Sequence, residues 1–245
     1  MRRTTYDNQS IETLNTKHYD LVQFKKDGMF VSVDIDGYFC EIRCRSGAVK
    51  KEIRLEQRHQ RSVFVGEWMK GTERSKDSDV KLWLFDCAVS NDWNVESLHY
   101  LHRMVEARRV EIPKEVVQEI GKVQIIDTYG IDTARRLWSD VESGKEEGLI
   151  VRRNAMPIRA TVGRVKPIVE KDFYVVGLYH DSQDQVIAVG GATTPGGEQV
   201  IKARVSPYAN HDGFRMGRCF VVEGQEITGR GSVRFGYFKR WHNEK

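Results

Sequence analysis

The sequence predicts an α+β protein in two parts: antiparallel sheets with flanking helices, then a small β-barrel of the OB type. Three observations carry that prediction. Period-two alternation of apolar and polar residues marks both ends of the chain. Helical periodicity is confined to the middle. After Pro167, five short strand-like segments separated by Gly-rich turns fall within about 75 residues, a density that suits a small barrel. A boundary near Ile168 divides the chain into 1–168 and 169–245.

The first element is a hairpin. Val31, Val33 and Ile35 alternate with Ser32 and Asp34, and Asp36-Gly37 offers a two-residue turn that wants positive φ. Tyr38 to Cys44 returns with Cys40, Ile42 and Cys44 on one face, and Ser46-Gly47 ends it. Ser62 to Trp68 and Val80 to Phe85 are further strands, and the polar stretch Gly71 to Asp79 between them is expected as a mobile loop. Ser97 can cap a helix running to about Arg109, with Leu98, Leu101, Met104 and Val105 on one face. Pro113 opens a short second helix through Ile120. Val123 to Ile126 is a strand, and Ile131 to Val141 a third helix stopped by Ser143-Gly144. Strands resume at Gly148 to Arg152 and Val162 to Lys166. In the second part they are expected at Phe173 to Tyr179, Val186 to Val189, Val200 to Val205, Arg218 to Val222 and Val233 to Phe238, with turns at Gly190-Gly191 and Pro195-Gly196-Gly197.

Composition narrows the class. At 245 residues, with ordinary apolar and charged fractions, the chain can bury one or two cores without crosslinks. No run of 18 apolar residues occurs, so no membrane span is expected. The start, Met1-Arg2-Arg3-Thr4-Thr5, lacks a secretory h-region, so an intracellular, cytoplasmic protein is expected, and a monomer. Cys40, Cys44, Cys87 and Cys219 form no zinc pattern and read as reduced thiols. His59, His99, His180 and His211 show no metal-ligand spacing. From Arg230 onward, Arg230, Arg234, Lys239, Arg240 and Lys245 face one acid, Glu244, and are interleaved with Phe235, Tyr237, Phe238 and Trp241. That pattern suits a polyanion. It suits a solvated last strand equally well.

Chemistry concentrates in Phe24-Lys25-Lys26-Asp27-Gly28. Alone, such a cluster is a surface turn with a solvated lysine. It is followed, in order and on strands or strand ends, by Arg43-Cys44-Arg45-Ser46-Gly47, Val65-Gly66-Glu67, Leu84-Phe85-Asp86, Glu147-Gly148-Leu149-Ile150-Val151-Arg152 and Arg164-Val165-Lys166-Pro167. That series resembles the ATP-dependent DNA ligase branch of the covalent nucleotidyltransferases, in a minimal phage- or virus-like form, and covers nearly the whole chain. The resemblance implies an adenylation domain followed by an OB-fold domain. It also implies sealing of 5′-phosphate/3′-hydroxyl nicks in duplex DNA through lysyl-AMP and a DNA-adenylate.

The resemblance assigns roles that chemistry makes sensible. Lys25 is the nucleophile. Lysine attacks only as the neutral amine, far from its reference pKa of about 10.4, so positive charge or desolvation must assist. If the segment is extended, Lys26 points to the opposite face. Arg164 and Lys166 are the expected helpers, together with a divalent metal, Mg²⁺ or Mn²⁺. Asp27 supports the nucleophile and later steps. Glu147 is the expected metal ligand, and Glu67 contacts ribose or metal; one or two acids suffice for Mg²⁺. Phe85 stacks on the ATP base with Ile150 beneath the other face, although an isolated Phe85 also reads as core. Arg45 contacts phosphate, and Arg45, Arg234 and Arg240 are expected on DNA. The departures from the family pattern are Phe30 where an arginine is frequent, Val65 for aspartate, Arg164 for lysine, and His242 and Glu244 near the end.

Only 24 residues precede Lys25, so no separate N-terminal DNA-binding domain is expected. Grip should come from phosphate contacts and weaken with salt. Val65-Gly66-Glu67 keeps an RNA ligase open as the alternative. A capping guanylyltransferase and a non-catalytic OB-type nucleic-acid binder are the more distant ones.

Overall fold

The computed structural model describes residues 6–12, 14, 16–69, 79–154, 162–180, 186–194, 197–204, 217–227, 233–234 and 236–242. Most of the expected loop at 71–79, the turn at 195–196, Val205, His211, Arg230, Phe235, Glu244 and Lys245 lie outside them. The chain divides into two units, Met1–Lys166 and Pro167–Lys245.

The first unit carries two sheets. Its strands are β1 (Tyr6–Gln9), β2 (Leu21–Lys25), β3 (Met29–Cys44), β4 (Val49–Trp68), β5 (Val80–Ser90) and β6 (Trp93–Asn94). Helices α1 (Tyr100–Arg109) and α2 (Lys114–Ile120) follow, then β7 (Lys122–Ile125), β8 (Tyr129–Gly130), a 3-10 turn at Ile131–Thr133, α3 (Ala134–Glu142), β9 (Gly148–Arg152) and β10 (Val162–Val165). One sheet runs β1-β10-β9-β2-β8; the other runs β3-β4-β5-β6, with β7 parallel to β5. α3 lays Leu137, Trp138 and Val141 on Val22, Leu149 and Val151 of the first sheet. α1 and α2 cover the second, where Ala107, Val116 and Ile120 meet Val31, Phe64 and Leu82. A third cluster of Leu21, Tyr100, Met104 and Ile126, with Trp83 and Phe85 against it, draws on strands of both sheets and on α1. No helix among the described residues is long and apolar enough to cross a membrane.

Two local expectations fail for physical reasons. Asp36-Gly37 is not a hairpin turn. β3 continues through it for 16 residues in all, and the hairpin closes at residues 45–48 instead. Gly37 does take positive φ, +58°, but spends it on a bulge at which the β4 partners jump from His59 to Arg54. Pairing persists because β4 is 20 residues long and keeps alternating, with Ile53 and Leu55 buried between charged neighbours. The charge of that stretch hid its strand character.

The buried face of α1 is also rotated. Tyr100, Arg103, Met104 and Ala107 are buried, whereas Leu101 and Val105 are exposed. His99 rather than Ser97 precedes the first turn. An arginine wins a core position because Asp86 is buried opposite it. Arg103 donates from Nε to Oδ1 at 2.7 Å and from Nη2 to Oδ2 at 3.0 Å.

The second unit is built on β11 (Val169–His180), β12 (Val186–Thr194), β13 (Gly197–Arg204), β14 (Cys219–Gly224), β15 (Glu226–Ile227), β16 (Val233–Arg234) and β17 (Tyr237–Trp241). Five of these close into a barrel, β11-β12-β13-β17-β14, and β15 pairs with β16. Phe173, Val175, Phe220, Val222, Val233 and Phe238 fill its interior. The strand expected over Val233 to Phe238 is therefore two strands with different partners.

Candidate nucleotide site

A cleft of about 410 Å³ opens in the first unit, lined from both sheets. Lys25, Arg164 and Lys166 come from the β2–β10 side; Phe30, Arg45 and Glu67 come from the β3–β4 side. Sequence-distant groups meet here because β2 and β9 pair antiparallel with Lys25 opposite Gly148. Glu147 thus sits beside the end of β2.

Two of the lining ammonium groups share one carboxylate. Lys25 donates to Oε2 of Glu147 and Lys166 donates to Oε1. Lys25 Nζ also donates to the Lys26 carbonyl at 3.3 Å. All three side chains are mostly buried, 10–14% exposed. Gly148 makes the arrangement possible: a Cβ there would stand 2.4 Å from the Val165 carbonyl oxygen and 3.1 Å from Lys166 Cγ. Any side chain would force the backbone at Val165 to shift and crowd the Lys166 stem.

Glu67 fixes the loop after Lys25. Its Oε2 accepts from the Gly28 amide at 3.0 Å. The two acids titrate in opposite directions, a pattern typical of sites that divide tasks between carboxylates. Burial pushes Glu67 up to about 7, against the pull of Lys25 and the Gly28 amide. Burial would raise Glu147 as well, but Lys25 and Lys166 together hold it below the ordinary carboxylate value. Burial also lowers Lys166, against the stabilising pull of Glu147.

Glu67 has a stability consequence. Its folded value of about 7 lies above its reference of 4.5, so the folded state holds the extra proton in that window. The stability it contributes is full below about 4.5 and is lost as pH rises through about 7. Between pH 5 and pH 8 the parent is expected to lose roughly 2 kcal/mol more unfolding free energy than Glu67→Gln, read by urea denaturation. Equal slopes would show that Glu67 does not hold a proton there.

Other expected site residues are placed as follows. Phe85 and Ile150 are half-buried and are not among the residues that line the cleft. Phe85 packs behind Phe30, ring centroids 6.0 Å apart, and its carbonyl accepts from the Tyr100 hydroxyl at 2.8 Å. Ile150 pairs with Gln23 and Arg164 across the sheet. Asp27 lies near enough to Glu67 to raise its proton affinity. Lys26 turns away from the cleft to Glu146, with its ammonium 4.3 Å from the Trp83 ring centroid. In the barrel unit Arg240 donates to Glu170 at 2.8 Å, and Lys239 reaches Glu170 and Glu223. These pairs pull Glu170 down to about 2. Acids on adjacent strands thus offset part of the basic excess of the tail. The Arg234 side chain lies outside the described groups.

The cleft also contains residues that the sequence reading did not place in it: Met29, Phe30, Cys44 and Ser46. Their signal was adjacency to Gly28 and Arg45. Among the described residues no three His, Cys, Asp or Glu side chains cluster as a metal cage. The oxygen donors Glu67 and Glu147 suit Mg²⁺, which needs only one or two carboxylates when phosphates and water complete its shell.

No protein-family model matches the chain, and no curated protein matches it. Solved structures do. One comes from a structure–function analysis of Lig E DNA ligases, described as DNA binding with a minimal scaffold. It aligns with TM-score 0.67 and 15% identity, over 99% of this chain and 100% of that one. A second, named Pmar-Lig_Pre, aligns with TM-score 0.69 and 14% identity over 99% of this chain and 68% of that one. The chain shares their fold.

Proposed function

We propose that this protein is a minimal ATP-dependent DNA ligase, with an adenylation domain in the first unit and an OB-fold barrel in the second. The observation that carries the reading is the Lys25–Glu147–Lys166 arrangement at the base of a cleft rimmed by Arg45, Glu67 and Arg164. It joins a nucleophile, a shared carboxylate and fixed cations of the kind that stabilise charge on a reacting phosphate. End-to-end likeness of fold to a Lig E DNA ligase supports it.

In this reading the neutral Lys25 amine attacks the α-phosphorus of ATP. The Nζ–P bond forms, the P–O bond to the β-phosphate breaks, pyrophosphate leaves, and the amine gives up a proton. Lys166 and Arg164 neutralise the phosphates during the transfer. Mg²⁺ or Mn²⁺ near Glu147 and Glu67, when bound, supplies further charge neutralisation. AMP then passes to a 5′-phosphate at a nick in duplex DNA, and the adjacent 3′-hydroxyl displaces it to seal the strand. Asp27 assists the later steps, and Arg45, Arg234 and Arg240 hold the DNA backbone.

Incubation with α-labelled ATP and Mg²⁺ tests the first step. An acid-labile AMP adduct on the peptide containing Lys25 is expected, and its absence overturns the reading. Val65-Gly66-Glu67 favours a second reading, an RNA ligase of the same chemistry. Sealing of nicked DNA, nicked RNA and hybrid duplexes decides between them. The DNA nick is expected to be sealed at least about tenfold faster than the RNA nick, with activity falling steeply between 50 and 200 mM salt. The reverse preference transfers the assignment to RNA.

A further inference from the structure

Phe30 lies two residues past Gly28 at the start of β3, opposite Glu67 in the sheet, so both side chains share the cleft-facing side. Arg45 is exposed on the hairpin turn at the other end of the same strand pair. Its guanidinium carbon sits 4.9 Å from the Phe30 ring centroid, within cation–π range, and both residues line the cleft. Behind Phe30, the Phe85 ring at 6.0 Å and an interplanar angle of 54° fixes the plane on which the guanidinium rests. Phe85 is itself held to α1 through the Tyr100 hydroxyl, which also accepts from Gln23, two residues before Lys25.

An arginine on a turn has costly rotamer freedom to lose when it engages an anion. A ring beneath it removes much of that freedom in advance, and stacking engages the face of a guanidinium, whereas phosphate oxygens are met by its N–H edge. The ring gives the cleft no hydrogen bond of its own.

We propose that Phe30 is a positioning residue that holds the Arg45 guanidinium over the cleft for the phosphates of ATP. The proposal rests on the reading of the cleft as an ATP site. Its effect falls on nucleotide binding and is transmitted through Arg45 alone.

The test is calorimetric binding of α,β-methylene-ATP with Mg²⁺, which cannot transfer AMP, to full-length parent, F30L, F30W, R45Q and F30L/R45Q. F30L is expected to weaken binding about fivefold, F30W to restore it to within about twofold of the parent, and F30L to add nothing on top of R45Q. A merely structural role for Phe30 would weaken binding equally in the parent and R45Q backgrounds. Parent-like binding by F30L, additivity with R45Q, or failure of F30W to rescue overturns the proposal, as does a parent that does not bind the analogue. A parent that binds the analogue yet forms no AMP adduct overturns the ligation reading and leaves the Phe30–Arg45 coupling standing.

Discussion

Lys25→Ala is expected to abolish the AMP adduct, lowering its formation by roughly three orders of magnitude or more, while the chain stays folded. The nucleophile cannot be supplied by a neighbour. Lys26 is committed to Glu146 and the Trp83 face, and Lys166 reaches the opposite oxygen of Glu147. Lys25→Arg separates chemistry from architecture. It keeps a cation for Glu147, but a guanidinium does not attack phosphorus, so no adduct is expected from it either. Sealing of a nick already carrying 5′-adenylate bypasses the missing step, and Lys25→Ala should retain it. An adduct on Lys25→Ala, read by label retention after gel electrophoresis, would move the nucleophile elsewhere and dismantle the site as drawn.

The second large effect is on stability. Asp86 and Arg103 are 4% and 1% exposed, with Arg152, 9% exposed, 3.5 Å from the second carboxylate oxygen. Asp86→Ala leaves two buried guanidinium groups without their counter-charge. Breaking a buried pair in this way costs about 3–5 kcal/mol, a large share of the 5–15 kcal/mol that holds a typical domain together. A fall in Tm of roughly 10 °C is expected by differential scanning calorimetry. Arg103→Met should cost less, because it removes a charge together with its burial cost and Arg152 still faces Asp86. A parent-like Tm for Asp86→Ala would mean that solvent reaches the pair. The network also bears on the cleft, since Asp86 adjoins Phe85, and Arg152 and Arg103 lie 4.2 and 5.4 Å from the Tyr100 ring centroid.

Much of the cleft was legible in the chain because its chemistry sits in short segments. Lys25, Glu67, Glu147, Arg164 and Lys166 each lie at a strand end or on a strand, where alternation made the element readable. Gly28 and Gly148 were visible as glycines, but the close approach that requires Gly148 was not. It depends on the Val165 carbonyl, 17 residues away in sequence and 2.4 Å from a hypothetical Cβ. Phe30 stood out only as a departure from a pattern, and its contact with Arg45 spans a hairpin whose turn was expected elsewhere.

By itself, the sequence determined the helical middle, many of the strands and the order of the reactive groups. These follow from local periodicity and from residue chemistry, which do not depend on partners. Tertiary structure alone decided which face of α1 is buried, that Asp36-Gly37 is a bulge, and that Glu147 serves two lysines at once. Each of these is set by competition among distant groups for burial, pairing or charge. Asp86 draws Arg103 inward, β4 draws β3 past its turn signal, and the β2–β9 register brings one carboxylate within reach of two ammonium groups.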